Sequence, residues 1–228
     1  EVPQVVTDTA PVQSLVARVM GDLGAPSALI PPGTSPHDAA LRPSDAAALA
    51  GADVVIWAGP ALLPMLQGPI DTLGTGAQVL TLLETAGWER LPRRDDADFM
   101  EDHDHADAGD TDPHAWLDPA VAAVWTTEIA QALAQADPEN ARIYQSNAAV
   151  AAADYLALRD RLVARLAPLS GRPWLVPHDG YQYFEHAFAI PAAGAVTLAD
   201  AAAPGPAHVA ELRAQVATGG ILCLLTDP

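Results

Sequence analysis

Residues 53–58 read Asp-Val-Val-Ile-Trp-Ala (DVVIWA), an unbroken apolar run opened by a single carboxylate. A strand with one wet face alternates apolar and polar residues. A strand that is apolar throughout is buried on both faces, as in the middle of a parallel sheet covered by helices. The same grammar repeats outward from this run. Residues 2–7 are rich in β-branched side chains and read as a strand. Pro11 then opens a helix whose apolar positions Val12, Leu15, Val16, Val19, Met20 and Leu23 share one face. Residues 28–30 form a short strand, and Ser44 caps a short helix running to Leu49. Beyond DVVIWA come a helical stretch at 62–66 and a strand at 79–82. Strand alternating with helix predicts an α/β fold with parallel sheets covered on both sides.

The second half follows the same rules at a different scale. Asp118-Pro119 reads as a cap and first helical residue, followed by Val121, Val124, Trp125, Ile129, Ala132 and Leu133 on one side. Asp137-Pro138 repeats that signal and opens a helix to residue 166, about 45 Å long at 1.5 Å per residue. That is longer than one small lobe needs, so it predicts a rigid strut joining two lobes. After Arg172-Pro173 a second series begins: a strand at 174–177, a helix at 181–188, a strand near Val196, a helix at 208–216 and a strand at 221–226. The expected division is an N-terminal α/β lobe at 1–136 carrying an acidic, histidine-containing loop at 95–112. A linker helix at 137–168 and a C-terminal α/β lobe at 169–228 complete it. The final strand has no covering helix behind it, so this lobe reads as incomplete and the sequence as C-terminally truncated.

Composition narrows the function. The 228 residues carry 29 acidic side chains against 11 basic ones, all arginine, for a net charge of −18. Phosphate-bearing partners need cations, so nucleic acid and anionic lipid are poor candidates and a cation is a good one. No apolar run is long enough to cross a bilayer. The first residues lack the charged and apolar regions of a secretory signal, so any such signal is expected to have been removed already. The single cysteine, Cys223, reads either as a buried apolar thiol in a strand or as half of a disulfide whose partner is missing.

Histidine placement carries the chemistry. His37, His114 and His178 each lie in a loop beside proline and aspartate, in the phrases SPHD, DPHAW and VPHD. His37 and His178 follow predicted strands, at the sheet edge where open α/β folds bind ligands. Neutral imidazole is a good zinc ligand, and a tetrahedral site wants four donors. One such histidine alone is an ordinary loop residue; three in one context point to a shared metal. Asp38 and Asp179 stand beside two of them and are candidates to orient the rings. His103 and His105 sit in the acidic loop, which reads either as a solvated linker or as a weak, fast collector of metal. His186 reads as structural, His208 as a surface helix residue, and the five tryptophans as core or pocket lining.

No GxSxG, HExxH, phosphate-binding loop or dinucleotide fingerprint is present. Three imidazoles with a water on zinc would still make an open hydrolytic site, with Asp179 as base, so a zinc-dependent hydrolase remains the alternative reading.

The phrases PPGTSPHDAALRPSDAAALAGADVVIWAGP, DPHAWLDP, VPHDGYQYFEHAF and the terminal LCLLTDP resemble the zinc-binding proteins of bacterial ABC importers, the ZnuA-like cluster A-I (cluster 9) solute-binding family. The resemblance spans nearly the whole chain in the family's order. It implies two α/β lobes joined by a long helix, with metal held between them, and zinc ligands at His37, His114 and His178. It implies a periplasmic protein, or a lipid-anchored one in Gram-positive bacteria, that is monomeric and non-enzymatic and delivers Zn²⁺ to a membrane permease, an adhesin of the same fold being a third possibility. Manganese-binding relatives carry glutamate where this chain has His178, which favours zinc. The family's histidine-rich loop corresponds to the acidic loop here, which is poor in histidine. The resemblance also implies further residues beyond LCLLTDP that supply a carboxylate near the metal and a cysteine partner for Cys223.

Overall fold

The computed structural model describes residues 1–36, 40–94, 111–197 and 204–226. The chain divides into two compact units, Glu1–Glu89 with Asp118–Leu158, and Arg90–Leu117 with Arg159–Pro228. The lobe boundaries read along the sequence place 90–117 in the N-terminal lobe; in the structure 90–94 and 111–117 group with the second unit. The reason is local bonding. Leu91 N–H donates to the Tyr183 hydroxyl (2.9 Å), and Asp112 N–H donates to the Leu91 carbonyl (2.8 Å).

The first unit is built on four parallel strands, β1 (Val5–Thr7), β2 (Ser27–Ala28), β3 (Val54–Trp57) and β4 (Gln78–Thr81), ordered β2-β1-β3-β4. Every residue of β3 is buried, as the unbroken apolar run requires. Helix α1 (Ala10–Met20) buries Val12, Leu15, Val16, Val19 and Met20, the face foreseen from their spacing. Helix α2 (Pro43–Ala50) is capped differently from expectation. Arg42 occupies the cap position, and the Asp45 carboxylate, three residues on, accepts its N–H (2.8 Å) while Ser44 lies inside the helix. Helix α3 (Pro64–Leu73) follows β3, and α4 (Pro119–Ala136) packs against α1, β3 and β4.

Helix α5 (Ala141–Leu166) is 26 residues long, about 39 Å at 1.5 Å per residue, and runs from the first unit into the second. A 3-10 turn at Pro138–Asn140 precedes it, with Asp137 accepting from the Asn140 side chain (2.7 Å) and the buried Tyr144 hydroxyl (2.8 Å). Its first half is tied to α1: Asn147 Nδ2 donates to the Val19 carbonyl (3.0 Å), and Arg18 pairs with Asp154 (2.5 Å).

The second unit holds three parallel strands, β5 (Trp174–His178), β6 (Gly194–Thr197) and β7 (Cys223–Leu224), ordered β6-β5-β7. Helix α6 (Gln182–Phe188) connects β5 to β6, and α7 (Pro206–Ala217) lies between β6 and β7 in the chain. Phe188, Ala187 and Ile190 form a small core against Leu162 and Leu166 of α5. Cys223 is exposed, which corrects the buried-thiol reading: β7 lies at the edge of its sheet, and both of its residues are open. No described helix is long and apolar enough to cross a membrane.

The order β2-β1-β3-β4 makes the ends of β1 and β3 the point where the chain changes direction across the sheet. Asp8 sits there with no exposed surface. Its Oδ1 accepts the Thr9 N–H (2.5 Å) and its Oδ2 the Ala58 N–H (2.7 Å), so one carboxylate joins the two strand ends. Burial pushes its pKa from 3.8 up to about 6, against the lowering effect of those N–H groups. The folded protein then holds this proton up to about pH 6 and the unfolded chain only to about pH 4. The contribution of Asp8 to stability is therefore greatest below pH 4, declines as pH rises to 6 and is flat above, a span of about 3 kcal/mol. Urea unfolding of the wild type and Asp8→Asn between pH 4 and 7 should show the difference in their stabilities shrinking toward pH 6. Parallel pH profiles would contradict this account.

Candidate metal centre

His178 ends β5, the middle strand of its sheet, in register with Thr197 of β6. The chain leaves β5 through α6 toward β6 and returns through α7 to β7 on the other side. His178 thus occupies the switch point of the second sheet, where a crevice opens beyond the strand ends. The turn after it is fixed by Asp179 N–H to the Thr197 carbonyl (3.1 Å) and Gly180 N–H to the His178 carbonyl (2.9 Å). A Cβ at Gly180 would collide with the His178 ring, its Cδ2 lying only 2.9 Å from that point. Glycine leaves room for the imidazole to fold back over its own turn.

His114 approaches from the segment ahead of α4. It precedes a 3-10 turn, Ala115–Leu117, which packs against α6. The side chain is buried, and the Trp116 ring stands edge-on to it at 5.4 Å. Asp112 fixes its orientation twice: Oδ1 accepts the His114 backbone N–H (2.9 Å) and meets ring Nδ1 (2.7 Å). A carboxylate at Nδ1 selects the tautomer protonated there and leaves the lone pair on Nε2, the usual arrangement behind a metal-binding imidazole.

The two rings come together. Their centroids are 5.4 Å apart with planes inclined at 60°. With metal–nitrogen bonds of about 2.05 Å, and about 1.15 Å from nitrogen to ring centre, two imidazoles on one tetrahedral ion have centroids about 5.2 Å apart. The observed spacing fits a shared ion. The Tyr181 ring closes the other side of His178 at 6.0 Å.

A layer of buried charge lies behind the pair. Arg94 places its guanidinium fork on Glu185, Nη1 to Oε1 at 3.1 Å and Nη2 to Oε2 at 3.0 Å, and Nη1 also reaches Asp179 Oδ1 at 3.2 Å. Glu185 Oε2 further accepts the Ala192 N–H (2.9 Å). Desolvation pushes Asp179 up to about 6; Arg94 pulls it down, and the neighbouring carboxylates of Asp112 and Glu185 add to the rise.

The structure therefore brings His114 and His178 together. His37, Asp38, His103 and His105 lie outside the described residues. Asp179 faces Arg94, while the carboxylate found on a candidate ligand is Asp112, which the sequence reading did not single out. Its signal was present as the Asp-x-His spacing of DPH. Gly180, Arg94 and Glu185 were also missed. Glu185 falls inside a helical apolar pattern, and Arg94 lies 85 residues from Asp179, so neither announces itself locally. His186 is exposed on α6, and His208, expected at the surface, instead joins its Nε2 to the Ala195 carbonyl (2.9 Å). Among the described residues no group of three or more His, Cys, Asp or Glu side chains is placed to hold a metal.

Comparison with known proteins follows the same direction. Residues 5–228 match the family described as ZnuA, zinc-uptake complex component A, periplasmic. The high-affinity zinc uptake system protein ZnuA of Paracoccus denitrificans (strain Pd 1222) is 38% identical over 252 residues, covering 100% of this chain and 76% of that protein. The protein of the same name from Brucella abortus (strain 2308) is 34% identical over 255 residues, covering 98% of this chain and 76% of its own. Among solved structures, a Zn(II)-bound variant of AdcAII from Streptococcus pneumoniae superposes with a TM-score of 0.80 at 23% identity, covering 97% of this chain and 80% of that one, a likeness of fold. With that coverage and identity, the chain belongs to the ZnuA family of periplasmic zinc-uptake components.

Proposed function

We propose that this protein captures Zn²⁺ in the periplasm and hands it to the membrane permease of an ABC importer, acting as a monomer and performing no chemistry on its cargo. The observation that carries the reading is the pair of imidazoles of His114 and His178, spaced as two ligands of one tetrahedral ion, with Asp112 behind the first. His37 is proposed as the third ligand, and the fourth position goes to water or a carboxylate. Imidazole nitrogen suits borderline ions such as zinc better than hard ones such as magnesium or manganese. Three neutral donors hold such an ion without a thiolate that would make it hard to pass on. His103 and His105, with the carboxylates around them, are proposed to collect metal and pass it to the main site. The family's role in zinc uptake supports this assignment.

Competition titration against a zinc chelator tests it. His114→Ala and His178→Ala should each lose more affinity than the roughly 10–100-fold that follows removal of a partner behind a ligand. Unchanged affinity in either would remove that residue from the site. Hydrolysis of an activated ester that disappears on chelation would assign the hydrolytic reading instead.

Two further variants probe how the donors are held. Asp112→Ala should lower affinity by roughly 10–100-fold by freeing the His114 ring. Gly180→Ala forces the His178 ring out of its position, so it should weaken zinc binding by about tenfold or more while the far-ultraviolet circular dichroism stays that of the wild type. Wild-type affinity in Gly180→Ala would mean that the ring binds metal in another rotamer.

A further inference from the structure

We propose that Arg94 is a positioning residue that sets the separation of the two imidazoles before metal arrives. The inference rests on His114 and His178 being zinc ligands.

Three segments must be held in register for those rings to meet, and one guanidinium touches all three. The first is its own. Residues 91–94 pair with 111–112 through an antiparallel bridge between Pro92 and Thr111 and the Asp112 N–H to Leu91 carbonyl bond (2.8 Å). Asp112 then fixes His114. The second is the turn after β5, reached through Asp179, the residue that follows His178. The third is α6, reached through the bidentate pair with Glu185. Helix α6 also grips the first segment: the Tyr183 hydroxyl accepts the Leu91 N–H (2.9 Å). Gln182, with its amide nitrogen turned inward, donates to the Pro92 carbonyl (2.9 Å) and to Asp112 Oδ2 (3.2 Å).

Arg94 is thus the joint between the segment that aims His114 and the turn that carries His178. A planar fork serves where a point charge would not. It spans two carboxylates on different elements in a fixed geometry, and both are nearly dry, with side-chain exposures of 7% for Asp179 and 5% for Glu185. Asp112, Glu185 and Arg94 touch no metal in this account; they act through the rings they hold.

Three proteins decide it: wild type, Arg94→Met and Arg94→Lys, each loaded with Zn²⁺ in chelator competition and with Co²⁺ as a spectroscopic probe, alongside His114→Ala. Arg94→Met should bind zinc about tenfold or more weakly and shift the visible absorption of bound cobalt, because the bite angle relaxes. Arg94→Lys restores charge without the fork and should recover only part of either signal. A merely stabilising role would lower the unfolding midpoint and leave the cobalt spectrum of the folded protein unchanged, which would overturn the proposal. If Arg94→Met does not fold, Glu185→Gln, which keeps shape and removes one charge-assisted contact, should shift the cobalt spectrum in the same direction; a wild-type spectrum there overturns it equally. Should His114→Ala bind both metals like wild type, the ligand assignment itself fails, an outcome distinct from failure of the Arg94 arms alone.

Discussion

The interaction on which the rest depends is the carboxylate of Asp112 against Nδ1 of His114. A buried imidazole has two nitrogens and two neutral tautomers, and a metal can use only the nitrogen bearing the lone pair. One oxygen of Asp112, held between the backbone N–H and the ring N, settles both tautomer and rotamer. The arrangement is available to this chain because Asp112 and His114 are separated by a single proline, which narrows the backbone between them to extended shapes. His178 is placed by different means: strand β5 delivers it to the end of the sheet, and the missing side chain of Gly180 makes room for the ring. One ring is fixed by a bond and the other by a vacancy.

This contrast explains which parts were legible in sequence. The parallel sheets were legible because burial on two faces leaves a run such as VVIW with no polar position, and α1 and α4 because their apolar stripes recur at helical spacing. The long helix announced itself through Asp137-Pro138 and its length. The allegiance of 90–94 and 111–117 was hidden. What decides it are hydrogen bonds to Gln182, Tyr183 and Glu185, side chains some 90 residues away along the chain, and no local pattern records them. The cap of α2 was misassigned because a Ser one residue inside a helix looks like a cap residue. The real capping uses the Asp45 carboxylate on the Arg42 N–H, a reciprocal contact that composition does not reveal. The bond of His208 on α7 to a strand carbonyl has no local signal in the sequence around it.

The site's electrostatics follow from where its charges sit. Asp112, Asp179 and Glu185 are all nearly buried, the charges of Asp112 and Glu185 add to the desolvation that raises the pKa of Asp179, and Arg94 pairs with Asp179 and Glu185. Three carboxylates and one guanidinium thus gather beside the two rings. Buried charge is costly unless compensated, and the compensation is strongest where water is scarce. On the proposed reading, a divalent cation between the rings would supply that compensation. The acidic side chains can therefore favour a doubly charged ion while standing one layer behind the donors, where they do not have to be displaced when the ion leaves. That proposal separates two tasks: the imidazoles would select for metals of zinc's softness, and the carboxylates beside them for charge. A chain with no lysine and a net charge of −18 attracts cations of every kind; the discrimination has to come from these few groups, whose positions depend on two short-range contacts and one forked arginine.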